Sequence, residues 1–196
     1  LDILGEYRIN ASRQEVWEAL NDPEVLRKCI PGCEQLNRDG DGPLNATINA
    51  KVGPVSARFK TVLTLQNINA PESYTLVGEG KGGAAGFGKG SADVTLAESG
   101  TLTLLSYNAR FNVGGKLAQV GSRLVQGAAR KTADQFFLNF AQELGGEPVA
   151  PLEAAEPGAP AAGVAPAAGG VALARRPWLW ALVVLAVLLL GWWLLS

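Results

Sequence analysis

The sequence contains no histidine. Imidazole general bases, His-based triads, the common zinc sites and haem ligation through histidine are thereby excluded. Methionine is also absent, and cysteine is limited to Cys29 and Cys33. Two thiols are too few for a cysteine-only zinc site or an iron–sulfur cluster without other ligands. No sign of charge dominates either, with 17 basic and 18 acidic residues giving a formal net charge of −1. Nucleic acid binding through a broad basic face, which works by displacing counterions, is therefore not expected.

What is present divides the 196 residues into three parts. Residues 1–144 have ordinary globular composition. Residues 145–174 consist almost wholly of Ala, Pro and Gly with a few Val and Glu, too little apolar bulk to fold alone, and are expected to form a flexible linker. A flexible chain of about 30 residues spans about 30 Å. Residues 175–196 hold an uncharged run, 178–195, preceded by Arg175 and Arg176. As a helix that run is roughly 27 Å long, close to the hydrocarbon thickness of a bilayer. Trp178 and Trp180 mark one end and Trp192 and Trp193 the other, as at two membrane interfaces. The expectation is a single-pass anchor in the cytoplasmic membrane. Arg175 and Arg176 place the N-terminal domain in the cytoplasm, and residues 1–11 lack the apolar stretch of a secretory signal.

Within the first part, residues 4–10 alternate as a strand, with Tyr7 and Ile9 opposite Glu6 and Arg8. Ser12-Arg13-Gln14-Glu15 is a capping box opening a short helix that buries Val16, Trp17, Ala19 and Leu20. Asp22-Pro23 starts a second helix, ended by Pro31-Gly32. Strands with a period of two are expected at 44–52, 55–65, 74–80, 87–97 and 101–113. Residues 116–144 predict one long helix, with Leu117, Val120, Gly121, Leu124, Ala128, Phe136, Phe140 and Leu144 on its apolar stripe. An antiparallel sheet with one apolar face, covered by that helix, is an α+β arrangement.

Three features invite a functional reading. Cys29 and Cys33 flank a turn-forming Pro-Gly; they are either packing residues near a pocket edge or a redox or ligand-contacting pair. The segment 78–90 satisfies the dinucleotide glycine spacing at Gly78, Gly80 and Gly83. Both that motif and the phosphate loop need a following helix, whereas strand pattern follows here; a hairpin with a mobile rim around Phe87 is expected instead. Finally, Ala46, Ala50, Ala57, Ala92 and Ala109 face inward on the sheet, opposite Gly121 and Ala128. Small residues on both layers leave either a solid core completed by large neighbours or an apolar cavity. The cavity would be lined by Trp17, Phe59, Phe87, Tyr107, Phe111, Leu117, Gly121, Leu124 and Ala128, with the Tyr107 hydroxyl available to a carbonyl oxygen.

The order of elements resembles the helix-grip fold of the START/Bet v 1-like (SRPBCC) superfamily. Four local sequences resemble CoxG, an accessory protein of carbon monoxide dehydrogenase. They are Ala19-Leu20-Asn21-Asp22-Pro23-Glu24-Val25-Leu26, Cys29-Ile30-Pro31-Gly32-Cys33-Glu34, the stretch from Val113-Gly114-Gly115-Lys116 to Gly121-Ser122-Arg123, and that from Gly127-Ala128-Ala129-Arg130 to Gln135-Phe136-Phe137. A Pro/Ala-rich linker with a terminal apolar anchor also occurs in that family. The resemblance implies a non-catalytic protein that ties a CO dehydrogenase-type molybdenum hydroxylase to the membrane. It further implies a carried lipophilic quinone, menaquinone or ubiquinone, and no covalent cofactor, catalytic residue or metal. The alternatives are a recruitment anchor without ligand and, since the superfamily includes them, a cyclase or hydratase.

Overall fold

The computed structural model describes residues 1–40 and 42–146. The apolar run 178–195 and the linker beyond residue 146 lie outside the described residues. Strand β1 (Asp2–Ile9) leads into helices α1 (Arg13–Asn21) and α2 (Pro23–Cys29). Six strands follow: β2 (Cys33–Arg38), β3 (Leu44–Val52), β4 (Val55–Asn69), β5 (Ser73–Lys81), β6 (Phe87–Ser99) and β7 (Leu102–Gly114). Helices α3 (Lys116–Gln119) and α4 (Ser122–Glu143) complete the described chain. The strands form one antiparallel sheet in the order β1-β7-β6-β5-β4-β3-β2, so β2 to β7 are a meander and β1 closes on its far edge.

Local chemistry sets the two short helices. The Ser12 hydroxyl accepts from the Glu15 amide at 3.3 Å, and the Glu15 carboxylate accepts from the Ser12 amide at 2.8 Å. Two amides that α1 leaves without helical partners are thus satisfied reciprocally. Ser12→Ala is expected to cost about 1 kcal/mol, read as a lower urea midpoint at unchanged slope. An unchanged midpoint would show that tertiary packing alone holds α1. Asp22 then caps α2 by accepting from the Glu24 amide at 2.8 Å, with Pro23 in the first turn, where its missing N–H costs nothing. Helix α2 is tied to α4 by Lys28 with Glu143 at 2.9 Å and by the Asn139 amide donating to the Cys29 carbonyl at 3.0 Å.

The inward residues of the strands alternate as their pattern requires: Ile3, Tyr7 and Ile9 on β1, Val94 and Leu96 on β6, and Leu105 on β7 are all buried. With Val16, Leu20, Cys29 and Phe140, most of these form the main core.

Two elements differ from the sequence expectation. Strand β2 carries no alternation, because only Leu36 is buried in it and its pairing with β3 is interrupted between Cys33 and Gln35. The long helix is two. Gly121 sits at φ +88°, where a side chain would be strained, and α4 begins after it. This break resets the phase of the helical stripe. Val125 faces the sheet at 5% exposure, whereas Leu124, expected to face it, is 54% exposed.

Candidate functional site

Between the inner face of the central strands and helices α1, α2 and α4 lies a cavity of about 260 Å³. Leu20 comes from α1, Leu26 from α2 and Phe136 and Phe137 from α4, while Leu63, Leu65, Leu76, Val94 and Leu105 rise from the sheet. No charged side chain lines it; its side-chain polar atoms are the hydroxyls of Tyr74 and Tyr107. An adjoining open trough of about 280 Å³ shares Leu63, Leu76 and Ala92 with the cavity and runs over Gly78, Gly80, Gly90 and Ala109 to Phe111. The glycines lower the floor of the trough, because no side chain projects from strands β5 and β6 at those positions.

One wall is aromatic. The Phe137 ring stacks on Tyr7 at 4.1 Å between centroids and lies 5.9 Å from Tyr107. The Tyr107 ring leans across β1 over Gly5, where a Cβ would collide with it. The Tyr7 hydroxyl donates to the Asp134 carboxylate at 2.7 Å. Burial, reinforced by that carboxylate, pushes the Tyr7 phenol far above its ordinary range. Tyr107 is also raised, chiefly by burial, against an opposing hydrogen bond with Tyr7. Tyr74 is different: it is 8% exposed, burial alone pushes its phenol up to about 12, and among the described residues its hydroxyl has no partner. Its ring meets Trp17 edge-on at 5.6 Å.

The structure scatters the pocket residues expected from sequence. Tyr107 lines the cavity, and Phe111 lines the trough. Leu117 and Ala128 line another groove, about 540 Å³, between β3 and the first half of α4. Phe59 is buried against Ala85 and Leu117 in a separate small core. Trp17 is packed against the main core and does not line the cavity. Phe87 is 43% exposed, with its ring over Gly114 at the sheet margin, and Leu124 points away for the reason of phase given above. Gly121 lies at the helix break and has nothing within 4 Å of where its Cβ would be. Tyr74, Phe137 and the leucines of β4 and β5 are the lining that sequence reasoning missed. Their signal was present in the period of two continuing inward through Tyr74 and Leu76.

The remaining motifs resolve simply. The glycine segment forms the end of β5, a single 3-10 turn at Gly83–Ala85 and the start of β6, so no helix N-terminus of the kind those motifs need follows it. Both cysteines are free. Cys29 is fully buried in the main core, where burial pushes its thiol up to about 11. Cys33 is half-buried, its Sγ donating to the Gln35 carbonyl at 3.4 Å, and burial raises it as well. Low thiolate content and core packing favour the packing role.

No curated protein sequence matches the chain significantly. Among solved structures, a conserved protein from Geobacillus kaustophilus superposes with a TM-score of 0.70 at 29% identity, covering 74% of this chain and 95% of that one. A Thermus thermophilus protein matches at TM-score 0.56 and 14% identity, over 74% of this chain and 97% of its own. The Zhui aromatase/cyclase from a Streptomyces species matches at 0.55 and 11%, over 73% and 92%, a likeness of fold alone. These are helix-grip, SRPBCC-type folds, as the element order implies. The family model for CoxG, the G component of carbon monoxide dehydrogenase, covers residues 5–145, and the chain accordingly belongs to the CoxG family.

Proposed function

We propose that this protein carries a lipophilic quinone, menaquinone or ubiquinone, between the cytoplasmic membrane and a CO dehydrogenase-type molybdenum hydroxylase that it holds at that membrane. The observation that carries the reading is the uncharged cavity opening into a glycine-floored trough. A flat ring fits among Leu63, Leu76, Val94 and Phe137, and a prenyl tail follows the trough past Ala92. The cavity is close to the lower size of small-molecule sites, about 300 Å³, so it suits the head group with the tail outside it. The run 178–195 supplies the membrane tether, and the linker gives the domain its reach toward a soluble partner.

A carrier role agrees with the lining better than catalysis does. Acid–base work requires a group that titrates near neutrality or is held charged beside the substrate. The groups offered here are two phenols raised by burial. The full-length protein, isolated in mild detergent from a quinone-containing bacterium, is expected to yield near-stoichiometric quinone on solvent extraction and mass spectrometry. Finding none, with no uptake of added quinone, would leave hydroxylase recruitment without a cargo as the function.

A further inference from the structure

The Tyr74 hydroxyl is a feature of the cavity that an apolar occupant would not explain. Tyr74 is buried and lines the cavity, and its hydroxyl has no partner among the described residues. A hydroxyl of a buried residue that no protein group engages can donate to whatever fills the cavity beside it. Tyr107 is placed differently: its ring stacks beside Tyr7, 6.3 Å between centroids, and leans over Gly5.

The sheet fixes how these two phenols relate. Tyr74 pairs with Val94, and Val94 pairs with Tyr107, so the three stand in one row across β5, β6 and β7. Two strand spacings separate the tyrosine backbones, roughly 10 Å. With the Tyr107 ring leaning away over Gly5, the width above Val94 is left to a ring-shaped occupant. We infer that Tyr74 is the donor that selects the cargo: the cavity takes a ring bearing a carbonyl acceptor on the β5 side, and the Tyr74 hydroxyl binds that oxygen. This rests on the quinone reading and adds to it the residue that distinguishes a quinone from a hydrocarbon of the same shape. The Trp17 ring packs edge-on against the Tyr74 ring, 5.6 Å between centroids.

The test compares two probes on the full-length protein in detergent: a dimethylated naphthoquinone, whose blocked ring positions prevent thiol addition, and dimethylnaphthalene, the same rings without carbonyls. Wild type is expected to bind the quinone about tenfold more tightly, the worth of one hydrogen bond of this kind. Tyr74→Phe is expected to lose that preference while binding the hydrocarbon as before, which also reports an intact cavity. In wild type labelled with 3-fluorotyrosine, the Tyr74 fluorine resonance should move with the quinone and stay nearly still with the hydrocarbon. Equal affinity of wild type for both probes, or a preference that survives in Tyr74→Phe, would overturn the assignment and leave the cavity as the seat of an apolar ligand. Binding of neither probe by wild type would overturn quinone carriage itself, and the assignment with it.

Discussion

Ala92→Phe is expected to reduce quinone uptake at least a hundredfold while leaving the protein folded. Ala92 stands on β6 between Leu76 of β5 and Ala109 of β7, and it lines both the cavity and the trough. Its side chain therefore ends where head group and tail of a bound quinone would meet. A phenyl ring placed there enters vacant space, so the usual strain of about 1–3 kcal/mol for enlarging a core residue is largely avoided. The ring also buries apolar area and suits a strand position, so thermal stability should hold or rise. The checks are Tm, far-ultraviolet circular dichroism and retention of quinone after gel filtration. Retention at the wild-type level would show that the ligand sits elsewhere. The corresponding substitution Ala128→Phe then becomes decisive, because Ala128 lines the separate groove beside β3. Loss of uptake there, with retention in Ala92→Phe, would move the binding site to the first half of α4.

The contrast between those two alanines also measures what the sequence could reveal. Strand alternation is a local signal, and it reported correctly that Ala92 and Ala109 face inward, as it did Tyr7 and Ile9. The capping box at Ser12 and the proline-started α2 were equally readable, since their chemistry lies within four residues. Strand β2 was not, because a bulged edge strand with one buried residue has no period to detect. The lining of the cavity was only partly legible, and for a different reason. Which inward residues meet across a curved sheet depends on register between strands distant in sequence, and on the phase of α4. A single glycine at φ +88° splits the helix and α4 beyond it turns Leu124 outward, while Ala128 lies roughly two turns before Phe136 and so lines another groove. Tyr74 escaped notice because its importance lies in lacking a partner, which only three-dimensional neighbours can show.

Alkaline pH should destabilise the protein strongly, and the sign follows from the burial of its acids. Cys29 is raised from 9.0 to about 11 and Tyr74 from 10.0 to about 12, both by desolvation. Tyr7 and Tyr107 shift in the same direction. Below about pH 8 each group is protonated in both folded and unfolded chains, and the stabilisation is fully present. As pH rises, the unfolded chain releases these protons first, so unfolding is favoured progressively until the folded groups also ionise. For Tyr74 the loss approaches roughly 3 kcal/mol as pH passes about 12, and Cys29 adds to it in the same direction as pH rises toward about 11. Urea midpoints measured stepwise from pH about 8 upward should fall, and the fall in Tyr74→Phe should be shallower by roughly 3 kcal/mol at the alkaline end. The comparison removes the contribution of lysines, which titrate alike in both proteins. Parallel curves for the two would mean that the Tyr74 phenol titrates in the folded protein as it does in water. Its hydroxyl would then already be solvated, and its lack of a protein partner would no longer single it out as a donor reserved for cargo.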